Sequence, residues 1–169
     1  YIEISSMVFI ILGSVPFIAY IKFLNGNKKI FINDGQIRSF LKIIILSIII
    51  LCFYLFLTNN ENFSFRSIFF NTISILTGTG YVNAEFDSWG SFPITIFLAL
   101  MFIGGCAGST TCGIKIFRIQ ILYLFILNQL KKIIYPKGVF LIKYDHNTVD
   151  EKFIASIISF IFFYFHLKI

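Results

Sequence analysis

Apolar residues run along the 169-residue chain in four long blocks, at residues 4–23, 40–57, 92–130 and 153–169. A helix that crosses a bilayer needs about 20 such residues, so each block is a candidate span. The first is apolar apart from Ser5, Ser6 and Ser14, and it carries Pro16, which removes a backbone donor and predicts a kink. The second is almost purely aliphatic and aromatic. The third is too long for one simple span and is interrupted by Gly104-Gly105-Cys106-Ala107-Gly108-Ser109-Thr110-Thr111-Cys112-Gly113. The fourth begins a span that residues 153–169 do not clearly complete. Between the second and third blocks lies a shorter apolar run, residues 65–76, that suits a helix but cannot cross. Thr77-Gly78-Thr79-Gly80-Tyr81 follows at once, and then a polar stretch, residues 83–91. This order describes a re-entrant loop that enters and leaves by the same face. Irregular backbone at membrane depth is tolerated only where protein or a water-filled path satisfies it, so the segment predicts a cavity.

Composition agrees with lipid as the solvent. The chain is 57% hydrophobic and 13% charged, with mean hydropathy +0.87, whereas soluble domains carry about 25% charged residues. The net charge of +6 does not point to nucleic acid, because the charges cluster between apolar spans. Residues 22–42 hold five basic residues and Asp34, and residues 115–152 hold seven basic residues and three acids. Residues 58–93 hold Arg66 against Glu61, Glu85 and Asp87. Basic loops stay in the cytoplasm, which puts the first and last connections inside and the middle one outside, with three crossings alternating correctly. Cys52, Cys106 and Cys112 sit in or beside apolar segments without CxxC spacing or a paired histidine, so they read as free thiols rather than a zinc site or a disulfide framework. Asp145, His146 and Asp150 lie in a basic loop with no partner nucleophile and read as solvated loop residues; His166 carries no reading. Glu61, Glu85 and Asp87 either concentrate cations at an outer mouth or are wet loop residues. The first apolar run has neither a basic leader nor a cleavage site, and both ends of the chain fall inside apolar stretches, so a piece of a longer protein is expected.

Three constellations carry chemistry. In Thr77-Gly78-Thr79-Gly80-Tyr81, glycine permits the unusual dihedrals that would turn successive carbonyls to one side, and a dehydrated potassium ion needs such oxygens in place of its water. A helix over 65–76 would end there with its negative dipole pole. An ordinary Gly/Thr turn is the other reading of these residues. In residues 104–113, four glycines cannot form a stable helix interior, at about 1 kcal/mol each. Close packing of two helices explains Gly104 and Gly108; consecutive Ser109, Thr110 and Thr111 favour a flexible intramembrane loop that gates a path. Lys115, two residues on, is expensive in an apolar run and is a functional candidate, or it snorkels to the cytoplasm with Arg118.

These strings carry a resemblance. Ser74-Ile75-Leu76-Thr77-Gly78-Thr79-Gly80-Tyr81-Val82-Asn83-Ala84-Glu85-Phe86, Trp89, Phe102-Ile103-Gly104-Gly105-Cys106-Ala107-Gly108-Ser109-Thr110 and Gly113-Ile114-Lys115 together resemble the third repeat of the Trk/Ktr potassium transporters, nearest to the bacterial TrkH type. Pro16-Phe17, Asp34-Gly35-Gln36-Ile37-Arg38 and Arg118-Ile119 extend the similarity over essentially the whole chain. The family folds four helix–pore-loop–helix repeats around one ion path. The resemblance therefore implies Thr77, Gly78, Thr79 and Gly80 as the potassium-binding selectivity filter. It implies Gly104, Gly105, Gly108, Ser109, Thr110, Gly113 and Lys115 as gate-loop residues. It also implies a homodimer, a cytoplasmic nucleotide-binding regulatory subunit of the TrkA type facing the basic stretch 131–143, and a multi-pass place in the bacterial inner membrane. Two departures stand out: Gly78 where the family often has Thr, and Thr111-Cys112 where it usually runs Gly-Gly, which makes the loop bulkier and stiffer.

The expectation is an all-α, polytopic membrane fragment. It comprises the end of a preceding repeat (1–24), a cytoplasmic loop (25–39) and the third pore repeat (40–130), followed by a basic cytoplasmic loop (131–152) and the start of another helix (153–169). Within the repeat, a helix at 40–57 precedes a pore helix and filter at 64–82 and a broken helix at 91–130. The expected function is one quarter of a potassium-selective pore. It uses no cofactor; potassium is the cargo, and passive flow or coupling to sodium or protons stays open. A truncated or degenerate fragment without transport of its own is the rival reading. A membrane enzyme is rejected, since no paired base and nucleophile lies at membrane depth.

Overall fold

Asp34 decides where the longest helix begins. In a computed structural model of the chain, its carboxylate accepts from the N–H groups of Gln36 (2.8 Å) and Ile37 (3.2 Å). This N-cap starts the helix at Gly35 rather than at residue 40, because it satisfies donors that an uncapped helix end leaves open. The structure describes residues 1–58, 64–135, 138, 140–144 and 147–168; Glu61, Asp145 and His146 lie outside them. In chain order the helices are α1 (Ile2–Gly13), α2 (Phe17–Leu24), α3 (Ile30–Asn33), α4 (Gly35–Leu57), α5 (Phe65–Thr77), α6 (Ser91–Phe102), α7 (Ile116–Ile134) and α8 (Glu151–Lys168). A short 3₁₀ turn, Phe86–Trp89, precedes α6, and strands β1 (Lys143–Tyr144) and β2 (Asn147–Thr148) pair as a small antiparallel hairpin. The chain is mostly helical and divides into two compact units, Tyr1–Ile116 and Phe117–Ile169.

In the first unit α5 is the centre, packed against α1, α4 and α6. Ser64 caps it by accepting from Ser67 N–H at 3.2 Å, and from Phe70 to Thr77 every residue is buried. Such all-round burial explains why a helix of 13 residues is stable here: its neighbours supply what short isolated helices lack. By contrast α4 buries one stripe, Ile37, Phe40, Ile44, Ser47, Ile48, Leu51 and Leu55, at helical spacing. Its other face exposes Leu41, Ile45, Leu46, Ile49, Phe53 and Phe56. A helix with an apolar inner stripe and an apolar outer face is solvated by lipid on the outside. Its 23 residues span about 34 Å, enough for a hydrocarbon core of about 30 Å. Ser47 stays within this helix by donating to the carbonyls of Ile43 and Ile44.

The kink expected at Pro16 is a full elbow. α1 and α2 meet at 88° across Ser14-Val15-Pro16, and the two together qualify as one bent span. Among the described helices, α4 is long and apolar enough to cross by itself.

The second unit holds α7, the hairpin and α8 around Ile121, Ile154 and Ile157, with Phe117, Phe125 and Tyr144 packed against them. Here the structure differs from the expected element limits. The helix taken to end at residue 130 continues to Ile134, the stretch 131–152 is not all loop but contains the hairpin, and α8 begins at Glu151. Long-range pairings supply the reason: the Tyr144 hydroxyl donates to Gln120 Oε1 (2.7 Å) and Asn128 Nδ2 donates to the Phe140 carbonyl (3.1 Å). Arg118 lies over the ring of Phe160, 3.8 Å from its centroid.

Candidate functional site

The C-terminal end of α5 passes directly into the Gly/Thr turn. Gly78 and Gly80 both take the left-handed conformation, with φ of 73° and 77°; for other residues this costs about 1–2 kcal/mol each. The N–H groups of Gly78, Thr79 and Gly80 all fold back onto the last turn of α5, to the carbonyls of Ile75 (3.1 Å) and Ser74 (3.0 and 3.4 Å). Among the described residues, no donor reaches the carbonyls of Thr77, Gly78, Thr79 or Gly80. The turn thus commits its donors to the helix and leaves its acceptors unused. Thr77 hydroxyl donates to the Ile73 carbonyl at 2.8 Å. In the 2.5 Å contact between the two hydroxyls, Thr79 is therefore left to donate to Thr77. Thr77 is buried, while Gly78, Thr79, Gly80 and Tyr81 are exposed.

Asn71 holds the return limb of the turn. Its Oδ1 accepts from Asn83 N–H (3.2 Å) and its Nδ2 donates to the Ala84 carbonyl (3.3 Å). Farther along, Trp89 is buried and packs with Phe86 around Phe97. Sequence reasoning missed Asn71; a lone amide inside an apolar helix was the available signal, since a buried amide must find partners.

The break between α6 and α7 is a closed loop rather than a slack one. Ile103 and Ile114 form a parallel bridge. Gly104 N–H donates to the Ile114 carbonyl (2.9 Å), Ile114 N–H to Phe102 (2.9 Å) and Ile116 N–H to Gly105 (3.1 Å). Thr111 organises the interior: its hydroxyl accepts from Gly105 N–H (2.9 Å) and lies 2.9 Å from Ser109 Oγ. A Cβ on Gly105 would come within 2.6 Å of that hydroxyl, so only glycine fits there. Lys115 folds back over the loop. Its ammonium donates to the Thr111 carbonyl, to Thr111 Oγ1 (3.1 Å) and to the Ser109 carbonyl (3.4 Å).

A cavity of about 380 Å³ brings the two irregular segments together. Thr77, Gly78 and Thr79 line one part, Thr110, Thr111 and Cys112 another, and Phe9, Ile10 and Gly13 of α1 complete it. A Cβ on Gly78 would lie 3.1 Å from Cys112 Cβ. The two positions singled out as departures from the family pattern are thus in contact, and the missing side chain of one makes room for the other. Of the remaining candidates, Gly80 lies outside this lining. Gly104, Gly105, Gly108, Ser109, Gly113 and Lys115 shape the loop from behind it. Among the described residues there is no cluster of three or more metal-ligating side chains.

A buried helix packed among apolar helices, ending on an open Gly/Thr turn and facing a hydrogen-bonded loop across one cavity, belongs to a chain built like the helical membrane transporters. Its sequence matches the TrkH family, described as cation transport proteins, over residues 1–169, and it belongs to that family. It is 34% identical over 158 residues to the Trk system potassium uptake protein TrkI of Halomonas elongata, covering 93% of this chain and 32% of that protein. It is 30% identical over 166 residues to Trk system potassium uptake protein TrkH of Vibrio parahaemolyticus, covering 94% and 34%. The crystal structure of the potassium transporter TrkH from Vibrio parahaemolyticus superposes with a TM-score of 0.84 at 28% identity, over 95% of this chain and 36% of that one. The chain therefore spans about a third of the length of these relatives.

Proposed function

We propose that the chain supplies one pore repeat, the third of four, to a potassium transporter in the bacterial inner membrane. Thr77, Gly78, Thr79 and Gly80 line the selective part of the ion path, and residues 104–113 with Lys115 gate it below. The observation that carries this reading is the turn after α5, whose N–H groups are spent on the helix while its carbonyls remain open. Potassium sheds water only where other oxygens replace it, and carbonyls already bonded elsewhere would not serve. The C-terminal pole of α5 adds partial negative charge at the same point. The names of the relatives, potassium uptake proteins, support potassium as the cargo.

One repeat makes one wall. Thr79, Gly80 and Tyr81 are exposed in this chain, so the path closes only when the other repeats surround them, and the chain alone does not conduct. A second copy and a nucleotide-binding subunit of the TrkA type are the further partners of this assembly, the latter on the side of the basic stretch 131–143. The test is growth of a potassium-uptake-deficient bacterium on low potassium, with the complete transporter that carries this chain, with and without Gly80→Asp. The expected result is rescue by the parent and none by the variant, both present in the membrane. Equal rescue would remove Gly80 from the ion path; no rescue by an inserted parent would favour a product without transport.

A further inference from the structure

Among the described residues, groups distant in sequence anchor the 104–113 loop at two places. The first is the elbow between α1 and α2. Pro16 has no N–H, and the 88° bend pulls the carbonyls of Gly13 and Ser14 out of helical pairing. In a straight helix Gly13 would accept from residue 17. Here Phe17 N–H donates instead to the Gly108 carbonyl (3.0 Å), and Gly13 accepts from Thr110, through its N–H (3.2 Å) and its hydroxyl (3.0 Å). Ser14 accepts from Cys106 N–H at 3.2 Å. Two segments that cannot satisfy their own backbone satisfy each other.

The second anchor is a side chain. Gln36, in the first turn of α4, accepts from Ala107 N–H through Oε1 at 3.0 Å, across 71 residues of sequence. Its position is set by Asp34, which caps α4 beside it, and α3 packs against α4 just upstream. The elbow contacts are made by backbone on the elbow's side, whereas Gln36 reaches the loop from the first turn of α4 by a side chain.

Resting on the gate reading above, we infer that Gln36 is a positioning residue that seats the loop beneath the turn, and that releasing it frees the loop to move. The acceptor oxygen is what matters. Gln36→Leu removes it at similar size, while Gln36→Glu keeps an oxygen at the same reach. Thr110→Val removes a side-chain anchor to the elbow and serves as the second variant.

The experiment measures potassium uptake by cells carrying the complete transporter, at equal membrane levels checked by immunoblot. Gln36→Leu is expected to raise the maximal velocity about fivefold, the scale of one hydrogen bond. The half-saturating potassium concentration and the preference over sodium stay unchanged. Thr110→Val moves in the same direction, and Gln36→Glu stays near the parent. An unchanged or lower velocity in Gln36→Leu overturns the proposal, as does Gln36→Glu behaving like Gln36→Leu, or a shift in sodium preference, which would place Gln36 at the filter. Gly105→Ala separates the two levels of the argument, because it crowds the loop directly. If it alters velocity and Gln36→Leu does not, the gate stands and the role of Gln36 falls. If neither alters it, the gate reading falls as well.

Discussion

The molecule breaks its helices in two glycine-rich places that look alike in composition and differ in bonding. In the turn at 77–81 the N–H groups of Gly78, Thr79 and Gly80 bond to one helix, α5, and among the described residues no donor reaches the carbonyls of residues 77–80. The loop at 104–113 is bonded internally, through Thr111 and Lys115, and externally, to Gly13, Ser14, Phe17 and Gln36. On the function proposed above, unpaired carbonyls at membrane depth are costly unless something polar takes them up, which suits the turn to an ion and the loop to holding a shape. Glycine serves different ends in the two: in the turn it permits left-handed backbone, at Gly105 it permits close approach.

That contrast can be broken experimentally. The largest effect is expected on the crowded side. Gly105→Val would drive a side chain into Thr111 and toward the Ser14 carbonyl, and overpacking of this kind costs about 1–3 kcal/mol. The complete transporter should lose its monodisperse form at a lower temperature in detergent, and a transporter as heat-resistant as the parent would mean that the loop is slack after all. Next comes Asn71→Leu, which strips the return limb of its clamp and leaves Asn83 N–H and the Ala84 carbonyl without it, at about 1–3 kcal/mol. Here selectivity should suffer, read as a raised sodium-to-potassium uptake ratio; an unaltered ratio would show that the limb holds without Asn71. The smallest effect tests where the two regions touch. Gly78→Ala should impair uptake both by its left-handed backbone and by meeting Cys112, and only the second part should recover in the Cys112→Gly background. The coupling between the two sites should be about 0.5–1 kcal/mol, and strict additivity would separate turn from loop.

Much of this was legible in the chain. The short apolar run before the Gly/Thr turn announced α5, because a run too short to cross must turn back. The cluster of glycines announced the break between α6 and α7, because helices do not tolerate it. What was not legible needed partners distant in sequence. Pro16 signals a bend, but its size depends on residues some 90 positions later that take over the freed backbone groups. Asp34-Gly35-Gln36 reads as an ordinary helix start; that Gln36 reaches Ala107 depends on how α4 docks. Lys115 was open between snorkelling and function, and only the folded loop shows its ammonium turned back onto Ser109 and Thr111. The hairpin in the basic stretch gave no signal, since strands of two residues have no periodicity.

By itself the sequence determined which segments are apolar, where most of the helices lie and where they must fail, because hydropathy and glycine act locally. Which broken ends meet, which carbonyls stay open and which side chains bridge the gaps were decided only by the tertiary structure, because a buried backbone group takes whatever partner packing brings within about 3 Å.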